Sequence, residues 1–355
     1  MFYACRCMER ITQSQIARKA GVNVATVSRA LGGDARISAE TTTRVREIAA
    51  QLGYRPDPVL SSIAASRWRG NGKNKRLTFA FISQFRKPHA GVDWINLSGA
   101  EARAAEFGCR IDKFTLEEYS NSSALQRVLV TRGLKGLIVA PFFDSNPQLT
   151  LDWNKFCAVS IGITPFQPLL HAVTHDVFDA ILIAWRRAVA YGYQRPGLVI
   201  PLHSLPSHVD DDENRQAAAL ILQQQCRPHN RIPPLIYSLQ APYATTVKKV
   251  LHWYQRWKPD AIIGFNGAMK DILMKEGNLR IPGQVGFAQL TTLPDMLDTA
   301  GIREPAEDIG KASVDLLLLT LRTNQWGLPL NRIRHYLEPR WNDGSSLPRL
   351  TNTYT

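Results

Sequence analysis

The stretch Ile11–Leu31, ITQSQIARKAGVNVATVSRAL, constrains the fold more than any other part of the chain. Thr12 is an N-cap residue type, and Gln15 three positions on completes the spacing of a capping box. Ile16, Ala17 and Ala20 fall on one face of the helix that follows. Gly21 supplies the permissive backbone of a sharp turn. Val22 and Val27 are spaced to pack back on the first helix. Val24, Ala25, Thr26, Ser28 and Arg29 are left for the outer side of a second short helix. That pattern is a helix-turn-helix, whose second helix enters the major groove of DNA.

The charge distribution points the same way. Residues 1–76 hold fourteen Lys/Arg against five Asp/Glu, a net of +9 out of +13 for all 355 residues. A basic end on a nearly balanced body is an electrostatic footprint for phosphates. After a Gly32-Gly33-Asp34 loop, Ser38 is a second N-cap type. Val45, Ile48, Ala49 and Leu52 then repeat at helical spacing up to Gly53. This third helix closes a small core and exposes Arg44 and Arg46 to phosphate or to solvent. Asp57-Pro58 restarts a short helix over Val59–Ser66, marginal alone in water. RWRGNGKNKR behind it reads as a linker.

These segments carry a resemblance. AGVNVATVSRAL, Ile37-Ser38, RVREIAAQLGYRP and the short hinge are similar, without gaps over about 60 residues, to the lactose-repressor/galactose-repressor (LacI/GalR) family of bacterial regulators. The resemblance implies a DNA-binding set of Thr12, Val24, Ala25, Thr26, Ser28, Arg29, Tyr54 and Ile63. Within it, Val24, Ala25 and Arg29 read bases, while Thr26 and Ser28 touch phosphate or support the helix. Arg29, whose fork suits guanine, carries most of the direct readout. Ile63 takes the place of the minor-groove wedge that bends the duplex.

From Arg76 onward apolar strands alternate with helices. LTFAFI, GLIVAP, CAVSIGI, PGLVIP, PLIYSL, DAIIGF and QVGFAQL read as strands. Ser98–Phe107, Asp179–Tyr191, Glu213–Gln225 and Ile309–Leu321 read as helices. Such alternation implies parallel sheets covered by helices. No glycine-rich phosphate loop follows any strand, and no nucleophile motif appears, so neither a cofactor nor an enzyme is expected.

The resemblance extends more loosely over this body. It implies two periplasmic-binding-protein-like α/β lobes with a small-molecule cleft, often for a sugar, between them. Its landmarks are Gly99, LKGLIVAP, Arg215, PDAIIGFNG, RIPGQVGFAQL and AGIREPAEDIGKASVDLLL. The effector residues implied by motif are Asp176, Asp179, Arg215 and Asn266. Asp176 and Asp179 are equally well placed to cap the helix after them, and Arg215 to start a surface helix. The chain also departs from the pattern. Gly267 replaces the Asp after Asn266, and Ala288-Gln289 replaces the usual acid. Without those carboxylates the ligand is a less hydroxylated molecule, an anion held by Arg215, or absent.

Five scattered cysteines form neither a disulfide framework nor a zinc site, which fits a reducing cytoplasm. His203, His208 and the run Asp210-Asp211-Asp212-Glu213 read as a solvated loop rather than a metal site. Trp253 and Trp257, four apart, read as packing. No run approaches the ~18 apolar residues of a membrane span.

The expected architecture is an all-α helix-turn-helix domain with a hinge helix, followed by a two-lobed α/β domain. Residues 1–10 are a disordered extension, with translation starting at Met1 or Met8. The helix-turn-helix covers 11–56, the hinge and linker 57–75, the lobes 76–341 and a polar tail 342–355. The expected protein is a sequence-specific transcriptional repressor controlled by a small-molecule effector of the carbohydrate type, a cytoplasmic, nucleoid-associated homodimer that binds a pseudo-palindromic operator. Its tail lacks the family's tetramerising heptad. The alternative is a small-molecule binding protein with a vestigial DNA-binding head.

Overall fold

The computed structural model describes residues 13–31, 36–52, 54, 77–84, 92–142, 149–162, 168–203, 209–292 and 298–350. Thr12, Ile63 and the expected hinge helix lie outside the described residues. The chain divides into two compact units, Met1–Lys75 and Arg76–Thr355.

The first unit contains α1 (Gln13–Ala20), α2 (Val24–Leu31) and α3 (Ala39–Gln51). Ile16, Ala17, Ala20, Val27, Ala30, Val45 and Ala49 form its buried core, with Val22, Ile48, Leu52 and Tyr54 packed around them. Gly21 makes the turn at φ +65°, a left-handed value that any side chain would strain. Asn23 starts α2, its Oδ1 accepting from the Thr26 N–H at 2.7 Å. Ser38 caps α3, its Oγ accepting from the Thr41 N–H at 3.2 Å. Each cap satisfies a backbone donor that the first helical turn leaves unpaired.

In the second unit the described strands form two six-stranded sheets. Lobe 1 holds β1 (Thr78–Ser83), β2 (Arg110–Thr115), β3 (Gly136–Val139), β4 (Cys157–Ile161) and β5 (His171–His175). It also holds β11 (Arg334–Leu337), and the strand order is β11-β5-β4-β3-β1-β2, all parallel. Lobe 2 holds β6 (Pro196–Leu202), β7 (Leu235–Ser238), β8 (Ala261–Gly264), β9 (Gly286–Thr292), β10 (Gly301–Arg303) and β12 (Arg340–Asn342). Its order is β12-β10-β9-β8-β6-β7, with only β12 antiparallel. The central strands read as unbroken apolar runs because parallel sheets are covered on both faces. The edge strand β2 carries Arg110, Asp112 and Lys113, which hides it from a hydropathy reading.

Helices α4 (Val92–Glu106), α5 (Ser122–Thr131) and α10 (Ala306–Arg322) serve lobe 1. Helices α6 (Val177–Ala190), α7 (Val209–Gln225), α8 (Tyr243–Trp257) and the short α9 (Gly267–Asp271) serve lobe 2. Ala180, Ile181, Ala184 and Ala188 of α6 pack with Ala218, Ala219 and Leu222 of α7 on Leu198, Ile200, Ile263 and Ala288. Trp253 is buried against the opposite face with Val250, Phe287 and Leu273, and Trp257 packs at its margin.

Two of the differences from expectation concern lobe 2, and a third, in lobe 1, is that α4 begins at Val92 rather than Ser98. Helix α7 begins at Val209, not Glu213, so the acidic run forms its first turn rather than a solvated loop. There the helix dipole favours negative charge. The polar segment after Asn342 is built into lobe 2. Leu347 lies in the core, and the Ser346 hydroxyl donates to the Phe287 carbonyl at 2.7 Å while accepting from the Ala300 N–H.

The chain passes from lobe 1 to lobe 2 between β5 and α6, and back between β10 and α10. It passes to lobe 2 again between β11 and β12. His175, Glu304 and Glu338-Pro339 therefore mark the strands that join the lobes.

Candidate functional site

On α2 the inward positions Val27 and Ala30 are fully buried. Ala25, Ser28 and Arg29 are exposed, and Val24 is 44% exposed. The eight-residue helix thus presents two small apolar side chains, one hydroxyl and one guanidinium on a face that the described residues of its own unit leave open. Thr26 is half-buried, and its hydroxyl donates to Asn23 Oδ1 at 3.0 Å, so it braces the helix start. Tyr54 packs at the margin of the three-helix core, its N–H donating to the Ala49 carbonyl. Arg44 and Arg46 of α3 are exposed.

The second set of polar groups lies between the lobes. Arg215 on α7 is buried, with Nη1 3.4 Å from Asp212 and Nη2 4.0 Å from Asp211. Its guanidinium lies 5.2 Å from the ring centroid of Phe265, at the end of β8. Asp212 also accepts from the His203 backbone N–H at 2.8 Å, and it contacts His203 Nδ1 at 2.8 Å. The His203 ring meets Phe265 edge-on. A helix turn, two strand ends and an aromatic ring thus fix one arginine in a single position. Such an arginine is a preorganised fork.

Across the lobes, His175 Nδ1 lies 3.4 Å from Glu304, both nearly buried at 17% and 16% exposure. This pair ties the end of β5 to the segment between β10 and α10, two of the crossings that join the lobes. Burial drives the His175 imidazolium down. Glu304, with Asp211 behind it, overrides that and lifts His175 above its ordinary 6.5, while Arg215 opposes. Burial likewise raises Glu304, yet His175 and Arg215 bring it below its ordinary 4.5. The pair's stabilisation is complete between pH 4.5 and 6.5. It is lost as pH rises through the raised His175 value or falls through the depressed Glu304 value. His175→Gln is therefore expected to flatten the decline of Tm as pH rises above 6.5. Parallel wild-type and variant curves over that range refute the pairing. His171, on the same strand, acts in the opposite sense. Burial lowers its pKa, so its contribution is present above pH 6.5 and lost below.

The motif-derived effector residues are distributed unevenly. Arg215 is central. Asn266 follows Phe265 and starts α9 without a side-chain capping bond. Asp176 caps α6, its Oδ1 accepting from the Phe178 and Asp179 N–H groups at 2.9 and 3.0 Å. Asp179 lies half-buried in the first turn of α6. Ala288 is in the core against α6, while a Cβ on Gly267 would stand 3.9 Å from Gln289 Oε1. The carboxylates that act on Arg215 are Asp211, Asp212 and Glu304. The acidic run was the available signal for the first two; nothing local marks His175 or Glu304. Among the described residues no cluster of His, Cys, Asp and Glu has the makings of a metal site. No described helix is long and apolar enough to cross a membrane.

Comparison with known proteins agrees with this architecture. Residues 12–57 match the family of bacterial regulatory proteins, lacI family. The chain is 33% identical over 339 residues to the HTH-type transcriptional regulator PtxS of Pseudomonas plecoglossicida, covering 91% of this chain and 92% of that one. Among solved structures, the transcriptional regulator CelR–cellobiose complex superposes with TM-score 0.56 at 18% identity, over 95% of this chain and 100% of that one. The lac repressor dimer bound to operator and the anti-inducer ONPF gives 0.54 at 18%, over 96% and 100%. The sequence identity extends through both units, from the basic three-helix head to the two lobes. The chain therefore belongs to the lacI family of bacterial regulatory proteins and is a DNA-binding transcriptional regulator.

Proposed function

We propose that α2 reads an operator in the major groove and that a small neutral polyhydroxyl molecule between the lobes sets the affinity for that operator. The exposed face of α2 carries this reading. Arg29 is its one forked donor, suited to guanine, while Val24 and Ala25 offer methyl surface suited to thymine. Thr26 and Ser28 then lie beside phosphate, with Thr12, Tyr54 and Ile63 completing the contact set as the family resemblance implies. The relative bound to operator is a dimer, so two copies reading a pseudo-palindrome is the arrangement we propose here. We place the protein in the cytoplasm with its DNA, and read the α/β body as a sensor rather than an enzyme.

The ligand class follows from charge. Arg215 is the one permanent cation among three carboxylates, Asp211, Asp212 and Glu304, so an anion gains little there. Hydroxyl groups find both donors and acceptors, and Phe265 offers an apolar face. A sugar fits this chemistry, and the similar CelR structure is a cellobiose complex. The family resemblance adds Asp176, Asp179 and Asn266 to the same effector set.

Binding to a duplex selected from random DNA tests the reader. Arg29→Ala is expected to cost about 1–3 kcal/mol on the selected site, roughly 5- to 150-fold, and under about threefold on random duplex. Equal loss on both, measured by fluorescence anisotropy at fixed salt, removes Arg29 from base readout. Thermal scans against neutral sugars and sugar acids test the ligand class. Stabilisation by sugar acids alone reverses it.

A further inference from the structure

Arg332 lies two residues before β11, the edge strand of the lobe 1 sheet. Its Nε donates to the Leu170 carbonyl at 2.5 Å. Its two terminal nitrogens, Nη1 and Nη2, are buried and have no hydrogen-bond partner among the described residues. A guanidinium fork shut away from water without acceptors is strongly unfavourable, and buried charges are normally paired.

The surroundings do not supply the missing charge. Arg334, the next side chain but one, adds a second cation. Asp210 at the start of α7 is the carboxylate that acts on both arginines, but it is bonded to Arg334 at 2.9 Å. His171 cannot serve as an acceptor either. The Ile333 N–H donates to its Nδ1 at 3.0 Å, which leaves the proton on Nε2, 3.2 Å from Gln325 Oε1. Two guanidiniums thus share one carboxylate beside a neutral imidazole, and burial pushes the Arg332 pKa down.

We propose that Arg332 is the centre of a small-oxyanion site on the edge of lobe 1, taking a phosphate or carboxylate group on its Nη1/Nη2 fork. The geometry of two parallel N–H donors matches two oxygens of one anion. The site is distinct from the interlobe effector space and does not depend on that reading. Along β5, His175 faces the lobe junction, and His171 is four residues away, about 13 Å at the usual strand rise. The site is nevertheless coupled to lobe 2, because the Arg334–Asp210 bond joins β11 to α7. An oxyanion that neutralises Arg332 leaves Asp210 wholly to Arg334 and so favours the lobe arrangement in which that bond is made.

The test uses the full chain, with inorganic phosphate and acetate as probes against chloride at matched ionic strength. Phosphate is expected to raise Tm saturably, by about 5 °C at a hundredfold excess over its Kd, and acetate more weakly. Arg332→Met is expected to abolish the phosphate increment. In chloride it should be at least as stable as wild type, because an apolar side chain of similar length replaces an unpaired buried charge. Arg332→Lys keeps the charge without the fork and should weaken phosphate about tenfold by calorimetry. Identical phosphate and chloride curves in the wild type overturn the proposal. So does saturable phosphate binding that survives in Arg332→Met, which would place the anion on the basic head or on Arg215. An unchanged Kd in Arg332→Lys also overturns it.

Discussion

Gly310→Ala is expected to destabilise lobe 1 by about 3 kcal/mol, the upper end of overpacking costs, and to lower its Tm by roughly 6–10 °C. A Cβ at this position would stand 2.0 Å from the Asn96 carbonyl oxygen and 2.9 Å from the Ala100 nitrogen. Both are backbone atoms of α4, which no rotamer change can move. The reciprocal contact is just as close, since a Cβ on Gly99 would stand 2.0 Å from the Glu307 carbonyl oxygen. Helices α4 and α10 therefore touch backbone to backbone at a crossing lined by glycine on each side. Side chains there force the helices apart and unpack α10 from β3, β4 and β5. Gly99→Ala acts at the same crossing, so the double variant should cost less than the sum of the singles. A thermal scan of Gly310→Ala that overlays the wild type refutes this packing.

Arg215→Leu is the second large effect. Removing one partner of a buried ion pair costs about 3–5 kcal/mol because the other charge is left uncompensated. Here Asp212 keeps its bonds to His203, which places the expected loss near the lower figure, about 3 kcal/mol. Asp211 loses the guanidinium 4.0 Å away, and one of its carboxylate oxygens is already buried without a partner. The rescue distinguishes this origin from lost packing on Phe265. Asp211→Asn added to Arg215→Leu removes the surplus charge and should recover part of the stability. If the second substitution recovers nothing, the loss comes from packing. The proposed effector should also bind Arg215→Leu about tenfold more weakly or worse, since the forked donor assigned to it is gone.

Much of the architecture could be read from residue order alone. Ile16, Ala17, Ala20, Val27, Val45 and Ala49 repeat at helical spacing and form the head's core. The apolar runs at 78–83, 136–139, 157–161, 196–202, 261–264 and 286–292 are strands. These elements are legible because burial on one helix face, or on both faces of a parallel strand, imposes a local period. Strand β2 escapes that reading because an edge strand tolerates charge, and β5 because both its ends are histidine. The acidic run escapes it because a loop and a helix start share the same composition.

The sequence by itself determined that this chain carries a helix-turn-helix on a basic end and a parallel α/β body behind it. Arg29 and Arg215 stood out there as the two arginines of interest. Only the tertiary structure decided what surrounds Arg215 and what joins the lobes. His175 meets Glu304 across 129 positions of sequence, and Arg334 meets Asp210 across 124. Helix and strand periods span a few residues and carry no information about such distant partners. Those pairs form when whole sheets dock, and the charge balance of the sensor domain is settled at that stage.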